Sequence, residues 1–232
     1  MTIHSWCVCK VRLLGRMLAS LFFILMQMVF VGSTSAQSSV DDDLIFAVKF
    51  NDAPSVSHLI EQGANARITE PLRGETLLMI AIREGSMRVV DVLLAARDVH
   101  LEARAKNGDT ALMIASFLGK SAVVKKLVAA GAEVNQPGWA AVHYAAASGD
   151  VETLRFLLDN AAYIDSESPN KTTPLMLAIR SGKYDTAQYL LESGADIHLK
   201  NDAGMTALDF AMESERKDLI SLLNERLTMG EK

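Results

Sequence analysis

Cysteine is nearly absent. Cys7 and Cys9 are the two that occur in the 232-residue chain, and both lie close to its start. The rest of the chain therefore has no disulfide framework, no thiolate zinc or iron–sulfur site and no cysteine nucleophile. Aromatic residues are scarce too, at 6% against 50% apolar overall. A core poor in rings and rich in Ala, Leu and Val points to close helix packing rather than a β-sandwich. Positive charge is the third shortage. Acids outnumber bases 28 to 23, and three of the bases, Lys10, Arg12 and Arg16, come before any acid. Beyond residue 36 the balance is 20 bases to 28 acids, a net −8. Nucleic-acid binding is not expected of such a chain, because that affinity rests on cations neutralising phosphates.

Catalytic constellations are missing as well. His58, His100, His143 and His198 are dispersed, with no His-x-x-x-His and no carboxylate at ligand spacing, so no metal site is expected. Gly119-Lys120-Ser121 resembles the end of a phosphate loop, but Ile114 stands where the loop needs glycine. No Gly-x-Ser-x-Gly elbow occurs. Neither an enzyme nor a cofactor is expected, since catalysis needs a base, a nucleophile and an oriented partner together.

The chain opens with a leader. A basic stretch precedes the apolar run Met17 to Val31, and Gly32-Ser-Thr-Ser-Ala-Gln37 follows. That order is what a secretory signal peptide needs, and the small Thr34 and Ala36 place cleavage after Ala36. The alternative is an uncleaved anchor, but the apolar run is shorter than the roughly 20 residues a span prefers. Lys10, Arg12 and Arg16 send the rest of the chain across the membrane in either case. Contact with a membrane is expected only through this leader. Export combined with a cysteine-free product suggests a bacterial periplasm.

Residues 37–232 repeat themselves. Thr76-Leu-Leu-Met-Ile-Ala81, Thr110-Ala-Leu-Met-Ile-Ala115, Ala140-Ala-Val-His-Tyr-Ala145, Thr173-Pro-Leu-Met-Leu-Ala178 and Thr206-Ala-Leu-Asp-Phe-Ala211 are one motif, at steps of 34, 30, 33 and 33 residues. Gly85, Gly119, Gly149 and Gly182 follow four residues after its last alanine. A leucine pair or its equivalent comes next, then Gly-Ala or a degenerate form such as Ala161-Ala162. The threonines are placed to cap helix starts, and the glycines permit a tight turn between two helices. Helices of about 8 to 10 residues are unstable alone in water, so stacking is obligatory.

This pattern resembles the ankyrin repeat, G-x-T-P-L-H-x-A-A-x-x-G followed by L-L-x-x-G-A. Gly74-x-Thr76, Gly108-x-Thr110, Gly204-x-Thr206 and Thr173-Pro174-Leu175 carry the likeness. Lys171 stands in place of the usual glycine, and Ala140-Ala141 replaces Thr-Pro. The resemblance implies an all-α solenoid of about six helix-turn-helix units with loop fingers. The units fall at approximately 40–69, 70–104, 105–135, 136–167, 168–200 and 201–227, and the two ends are degenerate caps. HEAT or tetratricopeptide stacking is the alternative, but neither expects the Gly-x-Thr lead-in. Met79, Met113 and Met176 fill the slot where the family has histidine, and they read as core filler. His143 is the one histidine in that slot, placed to bond between neighbouring repeats.

The resemblance also implies a protein partner, held on the concave surface of loop tips and inner helices. By register, Arg73, Glu75, Arg83, Lys106, Asp109, Phe117, Trp139, Thr172 and Arg180 face it. Trp139 and Phe117 stand out as anchors, because exposed aromatics beside arginine mark interfaces. Trp139 has a second reading, as an indole closing a truncated loop: Gly131 to Gly138 spans 7 residues, against 10 from Gly194 to Gly204. The deletion should leave a notch between units three and five with Trp139 at its floor. The functions in view are a periplasmic adaptor, an inner-membrane scaffold and a secreted effector that binds a host protein. Within the first, the family's periplasmic members suggest support of an antioxidant enzyme such as catalase.

Overall fold

Four of the repeats build their first helix on a threonine. In the computed structural model, which describes residues 40–96 and 99–230, Thr76, Thr110, Thr173 and Thr206 accept the backbone N–H three residues on, at 3.3–3.4 Å. The leader, its two cysteines and the expected cut after Ala36 lie outside the described residues. The third residue of the helix answers the cap. Met79, Met113 and Met176 turn their Sδ back to accept the threonine N–H at 3.4, 3.4 and 3.5 Å. Asp209 does the same with a carboxylate oxygen at 2.7 Å, and His143 with Nδ1 at 3.1 Å from the Ala140 N–H. These methionines fill the core and also complete a reciprocal cap, with sulfur in the role usually given to Glu or Gln.

The helices thus started are short. The inner row is 40–49 (α1), Leu77–Glu84 (α3), Ala111–Phe117 (α5), Ala141–Ser148 (α7), Pro174–Arg180 (α9) and Ala207–Glu213 (α11). The outer row is Ala53–Glu61 (α2), Met87–Ala95 (α4), Ser121–Ala129 (α6), Val151–Asp159 (α8), Tyr184–Glu192 (α10) and Lys217–Gly230 (α12). The turn between them closes on the recurring alanine. Gly85 adopts φ +77°, and the Ser86 N–H reaches the Ala81 carbonyl at 2.8 Å, leaving the last helix carbonyls satisfied. At the ends of the stack Asn51 and Glu215 take the same left-handed conformation without being glycine, at φ 54° and 51°.

Neighbouring units stack inner helix on inner helix and outer on outer. The core runs the length of the solenoid. Ile82, Ala115, Val142 and Ile179 are buried in the inner row, and Leu93, Leu127, Leu157, Leu190 and Leu223 in the outer. One isolated antiparallel bridge, Thr69 to Thr76, is the strand-like element among the described residues. The fold is therefore an all-helical solenoid of helix-turn-helix units, as the repeat predicts. No described helix is long and apolar enough to cross a membrane.

Candidate functional site

The loops joining one unit to the next fold as short hairpins. The Ala105 N–H bonds the Asp109 carbonyl at 2.9 Å and the Gly108 N–H bonds the Ala105 carbonyl, also at 2.9 Å. Ser168 to Thr172 and Asn201 to Met205 repeat the arrangement. Fingers are then tied to one another: Lys106 N–H to Arg73 carbonyl at 2.8 Å, and Asp202 N–H to Asn170 carbonyl at 3.1 Å. In each tie the acceptor precedes the left-handed residue of its finger, Gly74 or Lys171.

The fourth unit interrupts this ladder. Gly138 marks its left-handed residue at φ 76°, but the loop before it is too short for a hairpin. By register Gln136 would donate to the Asn107 carbonyl, and residue 169 to the Pro137 carbonyl. Neither bond is made among the described residues. The second cannot form at all, because residue 169 is proline and has no N–H. The Gly138 turn packs on the Pro169 ring, within 3.3 Å of where a side chain would begin, as the Gly74 turn packs on Lys106. The shortened loop thus leaves a gap in the ladder of finger-to-finger bonds, flanked by an Asn107 carbonyl that takes no N–H among the described residues.

Beside the gap lies a pocket of about 170 Å³, lined by Phe117, Trp139, His143, Tyr144, Ala147, Leu177 and Arg180. Three successive inner helices and the short loop supply these groups. The aromatic rings meet edge to face, with centroids 5.4 Å apart for Trp139 and His143 and 6.3 Å for both Trp139–Tyr144 and Phe117–Tyr144. Trp139 is 36% exposed and Phe117 55%. The indole thus packs edge to face on His143 and Tyr144 of α7 and stays partly exposed.

The floor is fixed by hydrogen bonds. Tyr144 donates its hydroxyl to Asp109, which also accepts from the Asn107 amide at 2.6 Å. Burial, reinforced by that carboxylate, pushes the Tyr144 hydroxyl well above the ordinary phenol range, so it stays a donor. His143 is buried, and burial holds its imidazole below the usual range. Its Nε2 bonds the Ser166 carbonyl at 2.9 Å, bracing the loop that leads to the next finger. Arg180 makes no hydrogen bond or ion pair among the described residues.

Of the surface residues expected from sequence, Phe117, Trp139 and Arg180 meet in this one pocket. Asp109 stands behind it, bonded to Tyr144. Arg73 and Lys106 belong to the finger ladder, where the Lys106 Nζ also reaches the Pro71 carbonyl at 2.6 Å. Arg83 is spent on an ion pair with Glu75 at 2.6 Å. Two expectations are corrected: Glu75 and Thr172 are 4% and 2% exposed, and so lie beneath the surface rather than on it. Tyr144 and Leu177 were not singled out from sequence. The available signal was that Tyr144 fills a slot held by Ile80, Ile114, Leu177 and Phe210 in the other units. Among the described residues no cluster of three or more His, Asp or Glu is placed to hold a metal.

A family model for ankyrin repeats in three copies matches residues 44–138 and 142–229. The neurogenic locus notch homolog protein 1 of Xenopus tropicalis is 32% identical over 138 residues, and its human counterpart 31% over the same length. Human notch homolog protein 2 is 31% identical over 127 residues. The first two matches cover 58% of this chain and all three cover 5% of the relative, so the chain spans about one-twentieth of those proteins. Among solved structures, the human ASB11 ankyrin repeat domain superposes with a TM-score of 0.70 at 27% identity, covering 79% of this chain and 82% of that one.

Proposed function

Because the chain belongs to the ankyrin-repeat family, we propose that it is an exported interaction module that grips a protein partner at the gap between its third and fifth fingers. One observation carries the reading. Three residues spanning 63 positions in sequence, Phe117, Trp139 and Arg180, line one open pocket at the shortened fourth loop, and the pocket floor is hydrogen-bonded in place. Exposed aromatic and arginine anchors on a rigid floor are the usual makings of a binding hot spot. The basic, apolar, small-residue leader supports delivery to a periplasm, where the module acts as an adaptor. An accessory role for an antioxidant enzyme such as catalase is the form of that adaptor the family likeness suggests.

In-cell photocrosslinking tests the surface. A photoreactive residue at position 139 or 117 is expected to capture one protein, while the same group at Lys125 on the outer helix row captures none. Capture at Lys125 alone, or at no position, sinks the proposed surface. The mass of the chain recovered from the cell envelope tests delivery: it starts at Gln37 if the leader is cut, and retains the leader if the chain is a tethered scaffold. Loss of peroxide resistance on deletion of the gene is the outcome the catalase form requires.

A further inference from the structure

The ladder of finger-to-finger bonds is regular on both sides of the fourth unit and missing within it. What is missing can be stated atom by atom. The Asn107 carbonyl lacks the N–H that its register equivalents, the Arg73 and Asn170 carbonyls, receive. Asn107 is linked to the aromatic pocket by hydrogen bonds, its amide to Asp109 and Asp109 in turn to Tyr144 of the pocket floor. Pro169 on the far side offers no donor. The gap therefore presents one backbone acceptor and one apolar hole.

Charge selects what fits. The chain is acidic overall, yet the charged group lining this pocket is a cation, Arg180, which makes no hydrogen bond or ion pair among the described residues. Asp109, the acid bonded to the pocket floor, is already occupied by the Tyr144 hydroxyl and the Asn107 amide. A cationic side chain in the pocket would face Arg180 with nothing to offset the repulsion. An acidic one would be drawn to it.

Resting on the interaction-module reading above, we infer that the partner contributes an extended internal segment that takes the place of the missing finger. One backbone N–H of that segment donates to the Asn107 carbonyl. An apolar side chain of about leucine size enters the pocket formed by Phe117, Trp139 and Tyr144. An Asp or Glu two residues away meets Arg180, since residues i and i+2 of an extended chain point to the same side.

The test is selection of phage-displayed random twelve-residue peptides against the full chain and two variants, Arg180→Glu and Trp139→Ala, each checked for unchanged helical circular dichroism. Enrichment of an apolar-x-acid pattern on the natural chain is expected, with the acid replaced by Lys or Arg on Arg180→Glu and the enrichment lost on Trp139→Ala. N-methylation of the donor amide in the selected peptide should weaken binding about five- to tenfold, the worth of one hydrogen bond. Peptides lost on Trp139→Ala but indifferent to Arg180→Glu overturn the acidic segment and leave the binding surface standing. Peptides indifferent to Trp139→Ala, or no enrichment on the natural chain, overturn both.

Discussion

His143 is held as a neutral imidazole by its partners. The Ala140 N–H points at Nδ1, so the ring proton sits on Nε2 and is given to the Ser166 carbonyl. A second proton would have to enter Nδ1 against a donor, inside a buried site. The folded chain therefore refuses a proton that the unfolded chain accepts near pH 6.5. The depressed folded-state value means the stability is whole above pH 6.5 and declines as pH falls below it, by at most about 1.4 kcal/mol per pH unit. Urea unfolding at pH 7.5 and 5.5 should show a larger loss for the natural chain than for His143→Gln, by no more than about 1.4 kcal/mol. Equal losses would mean that His143 protonates within the fold. Ala161 poses a second residue-scale question. It takes φ 64° where the parallel turns use Gly63, Gly131 and Gly194. A β-carbon in that conformation costs about 1–2 kcal/mol and glycine's extra unfolded-state freedom offsets about 0.4–1 of it, so Ala161→Gly should stabilise the chain by about 0.5–1 kcal/mol. A lower thermal midpoint in that variant would refute the strain.

At the scale of the element, α5 shows how a seven-residue helix is kept. Nearly all of it is first and last turn, so capping decides whether it forms. Met113→Leu conserves volume but removes the sulfur that accepts the Thr110 N–H. That buried donor would be orphaned, at a cost of about 1 kcal/mol beyond repacking. The measurement that separates the two is amide exchange: the Thr110 N–H should exchange several-fold faster, while the Thr173 N–H, capped by its own Met176, keeps its rate. Unchanged Thr110 exchange would reduce the sulfur to filler. This element also marks how far the sequence could be read. The Thr motif, its 30- to 34-residue step and the turn glycines carry the helix pairs, because capping and positive φ are local requirements written in residue type. The gap was legible too, as a loop of 7 residues against 10. The pocket was half legible: Phe117 and Trp139 stand out by type and Arg180 is placed by register, whereas Tyr144 sits in a slot that reads as apolar core. The sulfur caps and the finger ladder were not legible. A weak acceptor has no residue signature of its own, and backbone bonds between loops carry none.

At the scale of the whole molecule, stability is distributed by position in the stack. Interior units bury both faces of their helices and terminal units one. The burial shows it: six successive residues of α3, Leu77 to Ile82, are buried, whereas α2 buries Val56 alone and α11 buries Ala207, Phe210 and Ala211. Phe46 of α1 and Phe50 just after it stack on each other at 4.3 Å with their rings largely in solvent. The broken finger ladder does not divide the stack, since Ile114, Tyr144 and Leu177 continue the inner row through α5, α7 and α9 beneath it. Hydrogen exchange should therefore proceed inward, with α2 and α12 exchanging first and α5, α7 and α9 last. The same logic fixes what a cavity does. Leu154 and Leu219 are both fully buried in outer-row helices, Leu154 in the middle of the stack and Leu219 at its end. Truncation of either to alanine costs about 2–5 kcal/mol locally. With nearest-neighbour coupling, Leu219→Ala should speed exchange in α11 and α12 and leave α3 to α6 unchanged. Leu154→Ala, which weakens the interfaces on both sides of unit four, should speed exchange in α5 through α10. Equal acceleration of every helix by both variants would show one all-or-none unit instead of a chain of coupled repeats. The gap would then depend on the whole fold, not on units three to five.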